Sequence, residues 1–511
     1  MLIRRTIWFV GGVASLAQLA CSADGATTNS PPHEATPQIG SLVVMIDERG
    51  NGRDADGVSV SMDRNPIRLL TEDAPNKFDS LTVGEHWFRI ADVAPQCVGV
   101  ADSVSGTVRD ATTDTVRIRM TCLGGIAYHS YVSDRQFDIM YLGEDGVTRT
   151  LVGGPGKKFI SAWSPDGSRL AYRRLEVNVF RLYTVRVDGS DTHQIGQTLA
   201  DIGDGVGRWS PDGKRLAFAQ TDYSTATDWV VVSDATGDNQ HILVGKNQVE
   251  LDPAWSPDGA RIFFSCNRFG RYLDLCASAV DGSGLRNYRY PEIDALGLPC
   301  SSTACFDWIT QLKMSPDGSA VSFMGLDPTP NGQHRIWIGK TDGSSAVAAN
   351  QNTIAYDHDW SPKGDRLLLD VESGADGFGF GLATENRDGS GYRQIDSFRD
   401  TDESASWSPD GALIIFDNQL YGGQQLLVMN ADGSSRYKIT SGSPHSFAPL
   451  WNPRARATGP LSGGAPARTD SVGPSSNRMP TVAPVASQTR SNVCHPANIG
   501  GHVRILCPLS P

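Results

Sequence analysis

A five-residue phrase recurs along this chain and limits its possible folds more than any other feature. It reads Trp163-Ser164-Pro165-Asp166-Gly167, Trp209-Ser210-Pro211-Asp212-Gly213, Trp255-Ser256-Pro257-Asp258-Gly259, Met314-Ser315-Pro316-Asp317-Gly318, Trp360-Ser361-Pro362-Lys363-Gly364 and Trp407-Ser408-Pro409-Asp410-Gly411, and it shortens to Trp451-Asn452-Pro453. The anchors lie 46, 46, 59, 46, 47 and 44 residues apart. Pro presets φ for a turn, Asp caps the turn with its own side chain, and Gly accepts the positive φ that sends the chain back as a hairpin. Each of the first six phrases is followed by an apolar strand such as Leu413-Ile414-Ile415-Phe416, a further strand, and a second turn. Those turns are Val187-Asp188-Gly189, Ala235-Thr236-Gly237, Val280-Asp281-Gly282, Thr341-Asp342-Gly343, Arg387-Asp388-Gly389 and Ala431-Asp432-Gly433. Four antiparallel strands per period in the mid-forties is the arithmetic of a β-propeller blade, whose apolar faces must be buried against neighbouring blades. The anchor Trp is read as packing between blades.

The two ends of the repeat region complete each other. Gly125-Ile126-Ala127-Tyr128 and Ile139 to Gly146 supply the later three strands of a blade that has no phrase of its own. Phe447 to Pro453 supplies an opening strand with no followers. The expectation is an all-β protein with seven blades over residues 123–455, closed by a three-plus-one clasp that removes exposed sheet edges.

A Trp-Ser-Pro-Asp-Gly turn followed, after two residues, by an apolar strand resembles the TolB-like propeller family, a WD-type repeat. The resemblance implies a propeller displayed in the cell envelope and used for binding or scaffolding. TolB itself has six blades, so a six-bladed ring is the alternative.

Residues 41–122 alternate apolar and polar in short β-branched runs, as in Val58-Ser59-Val60-Ser61-Met62, and predict a small β-sandwich ahead of the propeller. Leu81-Thr82-Val83-Gly84-Glu85-His86 resembles the leucine–glycine–histidine turn of prealbumin-like and PEGA-like accessory domains. Asp47, Asn51, Asp54 and Asp56 ahead of Gly57 imitate a calcium loop. With no Glu at the twelfth position, an Asx-rich hairpin turn is the better reading, and no cofactor is expected unless that calcium is bound.

Residues 1–20 carry Arg4, Arg5 and a short apolar run, which reads as a signal peptide. Gln18-Leu19-Ala20-Cys21 resembles a bacterial lipobox, with Gln18 where leucine is usual, and makes Cys21 the expected lipidation site. Residues 21–40 would be a flexible tether. Setting Cys21 aside leaves eight cysteines in four close pairs, which suits an oxidising compartment. Disulfides are expected for Cys97 with Cys122, Cys266 with Cys276, and Cys300 with Cys305. The last pair lies in the insertion that lengthens the 59-residue spacing, and Cys494 with Cys507 is left open. Residues 456–511, rich in Pro, Ser and Ala, read as a disordered tail.

The formal net charge of −12 argues against a nucleic-acid partner, and a single short apolar run excludes a multi-span membrane protein. No zinc-protease, phosphate-loop or nucleophile-elbow motif is present. A propeller-gated hydrolase domain would need far more than the 58 residues after Pro453. A propeller's usual working surface is the mouth of its channel, where each innermost strand begins. Those positions give Lys157, Lys158, Asp204, Glu250, Asp252, Asp357, His358, Asp359, Asp402 and Glu403. Converging carboxylates would draw a cation or a basic peptide. The reading is a non-catalytic, monomeric, lipid-anchored envelope protein that binds a protein or peptide, with the membrane reached through the anchor alone. The runner-up is an enzyme acting on a glycan or peptide at the mouth. Oligogalacturonate lyases, which hold a metal through clustered histidines, are such enzymes, and here His358 and His445 lie near the mouth.

Overall fold

The computed structural model describes residues 38–455 except 51, 55–56, 64–67, 71–75, 95, 178, 196–205, 223–226, 246–249, 267–273, 289, 291–308, 327–333, 350–353, 373–379, 397–401, 419–423 and 441–444, together with residue 461 and the strand pair His495–Ile499 and His502–Leu506. The signal segment, Cys21, the tether, Asp204 and the cysteines at 300, 305, 494 and 507 lie outside the described residues. Every regular element among the described residues is a β-strand.

The N-terminal strands form two four-stranded sheets. One orders Asn76–Thr82, Ile39–Gly50, Thr113–Cys122 and Cys97–Val98; the other orders Arg68–Leu70, Val58–Met62, Gly84–Ala91 and Ser103–Val108. Alternate residues of each sheet meet in one core, Leu42, Val44, Val116 and Ile118 from the first with Val58, Val60, Phe88 and Ile90 from the second. This is the sandwich that the period-2 pattern predicts. A disulfide joins Cys97 to Cys122, which also pair in register.

From Ile126 the chain builds seven four-stranded units. We number the blades by their inner strands: Gly156–Trp163, Arg208–Trp209, Glu250–Trp255, Thr310–Met314, Ile354–Trp360, Asp402–Trp407 and Ser446–Trp451 for blades 1 to 7. In blades 1 to 6 the other three strands follow in sequence. In blade 7 the inner strand pairs antiparallel with Ile126–Ser133, followed by Gln136–Leu142 and Thr148–Val152, so both ends of the repeat region share one sheet. Ring closure is visible in the packing, because seven apolar cores each draw on two consecutive blades. The seam between blades 6 and 7 joins Leu413, Ile415 and Val428 to Ile126, Tyr128 and Trp451, and it also takes in Val98 of the sandwich. Cys266 and Cys276 form a disulfide across neighbouring strands of blade 3.

The repeated phrase works as a set of contacts. In the five phrases with Asp in fourth place the turn Ser donates its hydroxyl to that Asp, at 2.6 Å from Ser164 to Asp166, and the Ser accepts the amide five residues on, at 2.9 Å from Arg169. The turn Gly of blades 2 to 6, held at φ near 70°, lies against the phrase Pro of the preceding blade, as Gly213 does on Pro165 and Gly411 on Pro362. The anchor indoles then bridge blades: Trp209 donates to the carbonyl of Ala162 at 3.3 Å, Trp255 to Arg208 at 3.0 Å and Trp360 to Lys313 at 3.1 Å. At the seam Trp163 reaches the Leu450 carbonyl at 3.5 Å. The shortened seventh phrase serves here, since Asn452 donates to the Gly167 carbonyl at 2.8 Å and accepts the Arg454 amide at 2.9 Å.

The sandwich is tied to the ring. The Gln96 amide donates to the Arg53 carbonyl at 3.2 Å and to the Gly146 carbonyl of blade 7 at 3.1 Å. A Cβ at Gly146 would fall 2.0 Å from the Arg53 oxygen, so only glycine permits this approach.

Candidate functional site

Inner strands carry the side chains nearest the propeller axis, and here they share a distortion. Their pairing slips between Leu251 and Ala254, Thr310 and Lys313, Glu403 and Ser406, and Phe447 and Leu450. Each slip is a bulge with a left-handed residue three places before the anchor: Asp252, Gln311, Ser404 and Ala448, at φ of 50°, 55°, 54° and 47°. A bulge takes a backbone amide out of the ladder, and a buried amide needs another acceptor. Asp252 Oδ2 accepts the Gln311 amide at 2.9 Å, Asp370 Oδ2 that of Ser404 at 3.0 Å, and Asp417 Oδ1 that of Ala448 at 3.1 Å. His129 Nε2 does the same for Ile160 at 2.9 Å. Each of these bonds crosses from one blade to the next.

Two of the carboxylates expected at the mouth, Asp252 and Asp357, are thus met by groups of the protein itself. Asp357 Oδ1 accepts its neighbour's amide, that of His358, at 2.7 Å and the Lys313 ammonium at 3.1 Å. Lys313 also donates to the His358 carbonyl. Arg208 lies among Asp252, Asp357 and Asp359: burial lowers its pKa while those three carboxylates pull it back up. Burial raises the pKa of Asp359, and Lys313 partly offsets the rise. The His358 ring is fully enclosed and bonds Ser322 Oγ at 2.7 Å through Nε2. Burial, and then the Lys313 charge, push its pKa down to about 3. Glu250 is buried at the start of the blade 3 inner strand. Lys158 is buried as well, donating to Asp138 at 3.2 Å and to the Gly156 carbonyl at 3.1 Å. Asp402 and Glu403 open the blade 6 inner strand.

The structure therefore brings Asp252, Asp357, His358 and Asp359 together and adds two cations, Arg208 and Lys313, that the sequence reading left out. Their signal was present in the position immediately before each anchor, which reads Ala162, Arg208, Ala254, Lys313, Asp359, Ser406 and Leu450. His445 lies elsewhere, its ring 5.7 Å from that of Tyr131 and its Nδ1 accepting the Gln424 amide at 3.4 Å. In the N-terminal loop read as a calcium mimic, Asp54 Oδ2 accepts the Ala94 amide at 3.0 Å, while Asn51 and Asp56 lie outside the described residues. Among the described residues no group of three or more His, Cys, Asp or Glu side chains is placed to hold a metal ion.

A family model and several solved structures are similar to this chain. The TolB beta propeller domain family, PD40, matches residues 124–290. Similar solved structures include an oligogalacturonate lyase in complex with manganese, 14% identical, with a TM-score of 0.45 over 60% of this chain and 85% of that one. A putative TolB from Agrobacterium tumefaciens is 18% identical, with a TM-score of 0.37 over 53% of this chain and 88% of that one. TolB from Acinetobacter baumannii is 14% identical, with a TM-score of 0.36 over 64% of this chain and 82% of that one. No curated protein matches the chain. With the phrase and the seven inter-blade cores in hand, the repeat region is a β-propeller, and its residues 124–290 match the TolB beta propeller domain.

Proposed function

We propose that the chain is an exported, lipid-anchored, non-catalytic recognition module of the cell envelope, holding a protein or peptide partner on the propeller. What carries this reading is the use made of the polar groups on and beside the inner strands. Asp252, Asp370, Asp417 and His129 hold bulge amides, and Asp357 holds Lys313. A general base must instead be within reach of a substrate proton, and a carboxylate already accepting an amide across a blade seam is poorly placed for that. Asp359, beside Arg208 and Lys313, is the mouth carboxylate we assign to partner contact, together with Asp402 and Glu403, whereas Glu250 is buried and is set aside. Cys21 is the proposed acylated residue. The sandwich is proposed as a prealbumin-like accessory domain that spaces the ring from the membrane.

The test uses the full chain in a bacterial envelope. A labelled fatty acid should enter the protein and be absent from Cys21→Ser, and crosslinking should capture a discrete partner. Asp359→Asn should weaken that capture, more at low salt than at high. Turnover of a glycan or peptide library by the purified protein would replace this reading with the enzymatic one.

A further inference from the structure

We infer that the groove between blades 4 and 5, on the face that carries the phrase turns, binds an acidic peptide segment. The proposal rests on the recognition reading and gives it a ligand class. The groove has a volume of about 610 Å³, within the range of ligand sites. Its floor is apolar, with Ala320 and Ile338 buried and Val347 37% exposed. Lys340, Lys363 and Arg387 also line it.

The repeat supplies an internal control for these cations. Five phrases have Asp in fourth place, and each Asp accepts its turn Ser hydroxyl at 2.5–2.6 Å and the amide two residues on at 2.9–3.1 Å. Blade 5 has Lys363 there, and the cap has moved: Ser361 donates instead to Asp365 at 2.7 Å. The turn is therefore built without any contribution from position 363, and the lysine is not explained by folding. The first place of the second turn departs in the same way. Val187, Ala235, Val280, Thr341 and Ala431 are uncharged, whereas blade 5 has Arg387. Arg387 is pinned by Asp317 at 2.8 Å and lies over the Trp360 ring at 5.7 Å. Both departures add positive charge, and both face the same groove.

The groove's two carboxylates are turned to their own loops. Asp365 holds Ser361, and Asp388 holds the Ser390 amide at 3.0 Å. Lys340 and Lys363 are exposed, and their ammonium groups make no hydrogen bond or ion pair among the described residues. Two available ammonium groups above an apolar floor match a segment that alternates acidic and apolar side chains. Its carboxylates would meet the lysines while its apolar groups cover Val347 and Ile338.

The probe is a dye-labelled hexapeptide alternating glutamate and leucine, titrated by fluorescence anisotropy against the full chain. Saturable binding is expected, together with a loss of about tenfold or more on Lys363→Asp. That variant restores the residue found in the other five phrases, so its melting temperature should not fall. Lys340→Glu should weaken binding independently. A lysine–leucine peptide should not bind. No saturable binding, indifference to Lys363→Asp, or equal binding of the basic peptide overturns the proposal. Displacement by free glutamate at the peptide's own concentration overturns it too, because the site would then take a small anion. A flat titration removes the groove without touching partner capture, and library turnover removes the recognition reading without touching the titration.

Discussion

The sandwich and the propeller each bury a histidine among carboxylates, and the two rings are held in opposite charge states. In the sandwich, His86 Nε2 faces the Thr82 carbonyl at 2.8 Å and Nδ1 faces the Asp63 carboxylate. Both partners only accept, so both nitrogens must donate, and the ring is an imidazolium. Burial opposes this charge, but the Thr82 and Asp63 bonds outweigh it and raise the His86 pKa. In the propeller, His358 is flanked in sequence by Asp357 and Asp359, yet its pKa falls to about 3. Asp357 points to an amide and to Lys313, and the Lys313 ammonium lies at the His358 carbonyl. The difference teaches that carboxylates next in sequence do not fix a histidine's charge: burial and the Lys313 charge keep His358 neutral, while two acceptors at the ring nitrogens keep His86 charged.

The largest effect separating the two sites is expected from His86→Leu. It leaves the Thr82 carbonyl and Asp63 Oδ2 without the His86 donor, while Asp63 Oδ1 keeps the Trp87 amide, at a cost of about 2–3 kcal/mol in sandwich stability. Asp63 is 37% exposed at its side chain and can rehydrate, which keeps the loss at the lower end. Denaturant melts of the full chain followed by Trp87 fluorescence would read it, and a loss below about 0.5 kcal/mol would remove the imidazolium argument. The pair also fixes a pH window. The raised pKa of His86 contributes stability that is complete below its ordinary value near 6.5 and disappears as pH rises through the folded value. The lowered pKa of Asp63 contributes stability above its ordinary value near 3.8 that disappears as pH falls through the folded one.

Much of the fold could be read in the chain because its turns are chemical: Pro, Asp and Gly at fixed offsets define hairpins, and the two half-blades predict the clasp that Ser446–Trp451 makes with Ile126–Ser133. The axial groups were harder. The bulge residues Asp252, Gln311, Ser404 and Ala448 adopt positive φ without being glycine, so no turn signal marks them. Asp370 and Asp417 end apolar strands, Leu367 to Asp370 and Ile414 to Asp417, and look like the start of an exposed loop. Their role depends on a neighbouring blade, which local pattern does not contain. A polar residue at that same strand position in His129, Asp370 and Asp417 was the available sign.

A second, smaller effect should appear on acidification, and with the sign reversed between the domains. Below the ordinary histidine value near 6.5 the unfolded chain takes up a proton at position 358 that the folded propeller refuses until about pH 3. Stability from this site is therefore complete above about pH 6.5 and falls by about 2 kcal/mol by pH 5, at 1.36 kcal/mol per unit. Asp359 works the other way, since its raised pKa makes it easier to bury as pH falls, and it softens the slope. Over the same interval His86 keeps the sandwich at full strength. Hydrogen exchange at pH 5 and pH 7.5 should show protection at the lower pH falling in blades 4 and 5 while that of Gly84–Ala91 does not fall. Equal losses in both domains would break the comparison.

The smallest effect isolates the cause. His358→Gln keeps an uncharged side chain able to meet Ser322 Oγ and removes only the titrating ring. Because Nδ1 of His358 has no hydrogen-bond partner among the described residues, its loss removes no bond. At pH 7.5 the variant should lie within about 1 kcal/mol of the parent, set by packing rather than charge. Its acid limb between pH 6.5 and pH 5 should flatten. The corresponding His86→Gln should behave differently, since a neutral amide can donate to only one of the two acceptors without the imidazolium charge, and stability should fall at every pH below the parent's raised value. If His358→Gln retains the full acid limb, the slope belongs to other groups along the inner strands, and the neutral ring in the propeller no longer stands as the counterpart of the charged one in the sandwich.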